Sequence, residues 1–96
     1  MFVVYVIQSQ KDSRLYKGFT KDIEKRLKEH NSGKTKSTKA YLPWVLVYSE
    51  KFFSRVEARK REKYLKWGIG RDYLKEILKK GSIVQLDRIS DFGSDG

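Results

Sequence analysis

Ninety-six residues make one small domain, near the about 100–150 residues most common for a folding unit. The chain has no cysteine and one histidine, which excludes disulfides, thiolate metal sites, cysteine nucleophiles and multi-histidine metal centres. Lys and Arg number 22 against 12 acids, a net of +10; residues 81–96 hold three Asp and one Arg, net −2, so the body ahead of them carries +12. A charge of that size on a small body favours a polyanionic partner, nucleic acid first. A solvated basic surface and a membrane surface are the alternatives. The membrane alternative needs a basic helix with its apolar face free, and here the apolar faces are needed for the core. No apolar run could span a bilayer, and the N-terminus lacks the charged start and cleavage region of a signal peptide, so the expected location is cytoplasmic.

The first element is FVVYVI, Phe2 to Ile7. It is β-branched or aromatic almost throughout, with no polar alternation, which predicts a central strand covered on both faces. The polar cluster Ser9 to Arg14 then turns the chain, and Leu15 to Phe19 returns as the second strand of a hairpin. Tyr5 and Tyr16 share a face if paired residue numbers sum to an odd value, a register the long loop does not fix.

Thr20 stands at a helix-cap position, and the helix from about Lys21 to His30 carries Ile23 and Leu27 four apart. Arg26 and His30 are likewise four apart and share one face. Asn31-Ser32-Gly33 is a helix stop. GKTKSTKAY, Gly33 to Tyr41, alternates lysines and small hydroxyls without apolar periodicity, so it is a loop, either a phosphate-gripping segment or a solvated one.

WVLVYSE, Trp44 to Glu50, is the third strand, and Ser54 with Glu57 forms a capping box that starts a helix at about Arg55. On it Ala58, Glu62, Leu65 and, further on, Ile69 fall on one stripe. A carboxylate there is anomalous, because burying an unpaired charge is costly. Either it pairs with a cation such as Arg26, or it holds a metal ion. Gly68 and Gly70 interrupt the pattern; Asp72 caps a last helix with Tyr73, Leu74, Ile77 and Leu78 on its apolar side, closed by Gly81. The expected class is α+β, a three-stranded antiparallel sheet flanked by helices in the order β-β-α-β-α-α. Residues 1–80 form the domain and 81–96 a poorly ordered C-terminal tail.

With Val3-Val4-Tyr5, Tyr16-Lys17-Gly18, Arg26, His30, Pro43-Trp44 and Glu62 in order, the chain resembles the GIY-YIG nuclease superfamily. Within it the likeness is to the small single-domain members related to the N-terminal catalytic domain found in the ABC excinuclease. The likeness spans roughly residues 2–80. It implies metal-dependent endonuclease chemistry on DNA, structured or nicked, in repair or recombination, with one Mg²⁺ or Mn²⁺ held by Glu62. It further implies that Tyr5 or Tyr16 prepares the attacking water, that Arg26 stabilises phosphate charge and that His30 assists proton transfer. Lys17, Lys34, Lys36, Lys39, Arg59 and Lys63 are the expected nucleic-acid contacts. A partner protein or a homodimer is the expected source of further specificity.

Two departures support an alternative, a non-catalytic nucleic-acid-binding module on the same fold. Lys17 stands where the superfamily has an apolar residue, and no asparagine follows Asn31, although many members carry one beyond the metal-binding glutamate.

Overall fold

The structure is a computed structural model, and it describes residues 1–79 and 84–87. Strands β1 (Phe2–Ser9), β2 (Leu15–Thr20) and β3 (Trp44–Phe52) form the expected antiparallel sheet with β1 in the centre. Helix α1 (Ile23–Asn31) follows β2, and α2 (Arg55–Lys66) and α3 (Gly68–Leu78) follow β3. A fourth strand, β4 (Val84–Asp87), adds to the far edge, parallel to β3, giving the order β2-β1-β3-β4. Four residues of the expected tail are thus part of the sheet; residues 80–83 and 88–96, Gly81 among them, lie outside the described residues.

Val3 to Val6 and Ile7 are all buried, as a strand covered on both faces requires. On one face Val4, Val6, Tyr48 and Phe52 pack against Ala58 and Leu65 of α2 and Leu74 of α3. On the other, Tyr5, Ile7 and Trp44 pack against Ile23 and Leu27 of α1. Loss of a fully buried leucine such as Leu65 costs about 2–5 kcal/mol, so the first face carries much of the stability.

Two helix starts differ from the sequence pattern. The N-cap of α1 is Asp22, whose Oδ1 accepts from Lys25 N at 3.1 Å; Thr20 Oγ1 instead accepts from Asp22 N at 3.2 Å, so it braces the cap. Helix α3 begins at Gly68, leaving Asp72 inside it. Gly70 does not break this helix: a Cβ there would lie 1.8 Å from the Tyr64 carbonyl oxygen, so glycine is what lets α3 close onto α2. The same break at Trp67 takes Ile69 off the α2 stripe, and it is 79% exposed. The Ser54 capping box is present, its Oγ accepting from Glu57 N at 3.3 Å.

Candidate active site

The hairpin pairs Tyr5 with Gly18 and Ile7 with Tyr16, a register that puts both tyrosines on the α1 face. Their ring centroids are 6.4 Å apart. Gly18 makes the room: a Cβ on it would lie 2.7 Å from the Tyr5 hydroxyl, so any side chain would displace the phenol.

His30 enters from the last turn of α1 and is buried. Its Nε2 is 2.9 Å from the Tyr5 hydroxyl and its Nδ1 is 2.9 Å from Thr38 Oγ1. Thr38 Oγ1 also donates to the Thr35 carbonyl at 3.3 Å. With its proton committed there, that oxygen accepts from Nδ1–H, which leaves the Nε2 lone pair to accept from the Tyr5 O–H. The chain of donors therefore runs from Tyr5 to His30 and from His30 to Thr38. Two further bonds fix its outer end. Trp44 Nε1 donates to the Thr38 carbonyl at 2.9 Å, and the Asn31 amide brackets Trp44, donating to its carbonyl at 2.9 Å and accepting from its N–H at 2.7 Å. Tyr16 closes the side, its ring meeting His30 edge-on at 4.9 Å.

Burial lowers the His30 pKa from 6.5, and the Arg26 charge lowers it further, with Glu29 opposing. The imidazole is therefore neutral at pH 7. Burial raises Tyr5 above 10.0; the adjacent Arg26 guanidinium pulls it down, while Tyr16 and Glu62 push it up. Tyr5 thus keeps its proton at neutral pH.

Arg26 is half-exposed and pairs with Glu29 at 3.1 Å. It lines a cavity of about 430 Å³ together with Phe19, Thr20, Lys21, Asp22, Lys25 and Glu29. Lys21 and Lys25, two residues the sequence pattern did not single out, join Arg26 there, three cations to the two acids Asp22 and Glu29. Glu62 pairs with Lys66 of its own helix at 3.2 Å, which corrects the expected Arg26 partner. Lys17 lies opposite Val6 and so faces α2 and α3. Arg59 and Lys63 are exposed on α2, and Lys34, Lys36 and Lys39 are exposed around the loop after α1. Thr38, in the midst of those lysines, is buried and was missed; the only sequence signal was the pair of threonines three apart ahead of Pro43.

Among the described residues no group of three or more His, Cys, Asp or Glu side chains could enclose a metal ion. Mg²⁺ needs less, because it keeps several waters and takes one or two carboxylates plus substrate phosphate oxygens. Glu62 meets that requirement. Its bond to Lys66 is an i,i+4 pair of about 0.3–0.5 kcal/mol, which a divalent ion readily displaces. The residues present therefore fit a one-carboxylate ion.

Tyr5 over Gly18, Arg26 and His30 on α1 and Glu62 on α2 are the residues the family resemblance singled out, and the comparisons place the chain in a family. Residues 1–68 match the family described as GIY-YIG catalytic domain, and the chain belongs to that family, whose members are generally metal-using endonucleases acting on DNA. It is similar to a UPF0213 protein of Staphylococcus haemolyticus, 47% identical over 64 residues, covering 66% of this chain and 77% of the relative. A UPF0213 protein of Staphylococcus epidermidis is 40% identical over 75 residues, 77% of this chain and 90% of its own. The solution NMR structure of UPF0213 protein BH0048 from Bacillus halodurans shares the fold, with a TM-score of 0.51, 34% identity, and coverage of 84% of this chain and 87% of that one. No helix among the described residues is long and apolar enough to cross a membrane.

Proposed function

We propose that this chain is a divalent-metal-dependent endonuclease that hydrolyses DNA phosphodiester bonds, selective for nicked or branched structure and suited to repair or recombination. The observation that carries the reading is the hydrogen bond from Tyr5 to a neutral, buried His30 beside Arg26 and within the field of Glu62. A phenol that stays protonated at pH 7 is a poor base alone. One that passes its proton to an imidazole as it accepts another is a competent relay.

In this mechanism the water oxygen bonds to phosphorus as the bond to the departing nucleotide oxygen breaks. The water proton moves to the Tyr5 oxygen while the Tyr5 proton moves to His30 Nε2; the departing oxygen is protonated from solvent. Arg26 binds a non-bridging phosphate oxygen with permanent charge and planar donors. Glu62 would hold the ion, which when bound neutralises phosphoryl charge and polarises water. Thr38 keeps the His30 proton on Nδ1, and Tyr16 packs the imidazole from the side. Lys17, Lys34, Lys36, Lys39, Arg59 and Lys63 supply sequence-independent phosphate contacts, so recognition is of shape over base sequence.

The test is cleavage of linear, nicked and branched DNA with Mg²⁺ or Mn²⁺. Wild type should cut, and Glu62→Gln should lose about 10²–10³-fold in rate, the scale of removing one electrostatic stabiliser. Equal cutting by Glu62→Gln would remove Glu62 from the site. Binding without cutting under any metal would favour the non-catalytic module that Lys17 and the missing asparagine suggest.

A further inference from the structure

Two large apolar side chains stand in solvent where α2 meets α3: Trp67 is 73% exposed and Ile69 79%. The second tryptophan, Trp44, is 3% exposed, so the contrast is within one residue type. Trp67 has extended backbone, φ −117° and ψ 149°, and ends α2, while Gly70 packs close against the Tyr64 backbone where the two helices meet. Cations surround this junction. Lys66 precedes Trp67, and Arg71 and Lys75 lie one turn apart on α3, all three exposed. Lys17 faces them from β2; burial first, and then the charges of Arg71, Lys66 and Lys75, lower its pKa below 10.5. Among the described residues Lys17, Arg71 and Lys75 form no salt bridge, and the neighbouring Glu76 is bonded to Lys79, leaving Asp72 as the other acid on this helix.

We propose that Trp67 and Ile69, with Lys17, Lys66, Arg71 and Lys75, form a second nucleic-acid site that takes unpaired bases of the DNA strand about two or more nucleotides from the scissile phosphate. Aromatic rings among cations are how proteins hold single strands, through stacking on bases and pairing with phosphates. The commitment to unpaired bases follows because bases inside a duplex are already stacked and offer no free face. Distance sets the placement. Trp67 caps α2 five residues beyond Glu62, at least about 7.5 Å along the helix axis, or upward of about two base steps at ~3.4 Å each. Continuity with the candidate active site comes from Lys66, which bonds Glu62. A second copy of the chain is the rival occupant. A symmetric contact would bring two such cation clusters together in a protein of net +10, whereas a polyanion relieves that repulsion.

The inference rests on DNA being the ligand but not on cleavage, and binding in EDTA keeps the two apart. A labelled blunt duplex and the same duplex with a single-stranded flap are titrated with the full chain. Wild type should prefer the flap by about tenfold, with its tryptophan emission quenched on binding. Trp67→Ala should lose both the preference and the quenching, and Trp67→Phe should keep most of the preference. Arg71→Ala with Lys75→Ala should weaken both DNAs and reduce the salt slope by about 2. Trp67 is exposed, so its variants are expected to fold, which circular dichroism checks. An undiminished flap preference in Trp67→Ala overturns the proposal. A wild-type dimer abolished by Trp67→Ala with DNA preference unchanged also overturns it, assigning the face to a second copy. A wild type that never cuts yet shows the Trp67-dependent preference sinks the nuclease reading and leaves this surface standing.

Discussion

Tyr5 and Tyr48 are buried phenols on neighbouring strands, on opposite faces of one sheet, and their partners differ in kind. Tyr48 donates to Glu50 Oε1 at 2.6 Å, and Arg61 Nε donates to the same oxygen at 2.8 Å. Burial above all, then the hydrogen bond and charge of Glu50, hold the Tyr48 proton far more tightly than usual. A carboxylate already bonded to a guanidinium is a weak base, so that proton has no acceptor to move to. Tyr5 donates to the Nε2 lone pair of a neutral imidazole, a group able to take up a proton. The same residue type thus makes a fixed structural bond on the α2 face and, in the mechanism we propose, one link of a proton path on the α1 face.

Removing the anchor of the structural cluster should have the largest effect. Glu50→Ala should destabilise the fold by about 3–5 kcal/mol, because the largely buried Arg61 is left beside a phenol without its carboxylate. Urea denaturation measures this. The cleavage rate per folded molecule should stay near wild type; a matching fall in that rate would erase the distinction between the two clusters. Tyr5→Phe should do the reverse. It should lower kcat by about 10² or more, the scale of general acid–base participation, at about 1–2 kcal/mol in stability. Tyr48→Phe under the same assay is the control and should leave kcat within a few-fold. Equal rates for the two phenylalanine variants would break the comparison.

Thr38→Val sharpens it further out. Valine keeps the shape but removes the acceptor of Nδ1–H, a buried group whose loss of a partner costs about 1–3 kcal/mol. The proton then shifts to Nε2 in a fraction of molecules, which turns the imidazole from acceptor to donor toward Tyr5. We expect roughly a tenfold loss of kcat with KM little changed, restored by Thr38→Ser, since ~1.4 kcal/mol is a factor of ten. ¹⁵N chemical shifts of the ring report the tautomer directly. A Thr38→Val enzyme with lowered kcat but an unmoved tautomer would reduce Thr38 to packing.

These clusters also mark where sequence patterns stop being informative. The strands, the order β-β-α-β-α-α and the face shared by Arg26 and His30 all follow from local periodicity, which a single element displays. The co-facing of Tyr5 and Tyr16 depended on register, which the loop from Ser9 to Arg14 leaves free and cross-strand packing decides. Thr38 and Arg61 were invisible because their partners lie eight and eleven residues away on other elements; Glu50 shares the period-2 face of β3 with Tyr48, but that spacing fixes a common face and not a side-chain bond. The β4 strand was missed for a related reason. Val84 to Asp87 sits among Ser, Asp and Gly, and its support is the free edge of β3, a feature of the assembled sheet. Glu62 was found because it violated its stripe, although the cation it meets is Lys66 and not Arg26.

The smallest expected effect concerns pH, and the lone histidine makes it clean. Burial holds the folded-state His30 pKa below 6.5, so the unfolded chain binds a proton more readily than the folded one. Stability contributed by neutral His30 is fully present above 6.5 and is lost as pH falls from there through the lowered folded-state value. Carboxylates with ordinary values near ~4 titrate further down, so the upper part of this window belongs to the imidazole. Urea midpoints measured at closely spaced pH values should decline there, and His30→Gln should flatten that decline. The cleavage rate should fall on the same acid limb, because a protonated Nε2 cannot accept from Tyr5. Ring-proton NMR places the titration independently. An imidazole that titrates at or above 6.5 would mean the ring is solvated or charge-paired, and Tyr5 would then have no better acceptor than Tyr48 has.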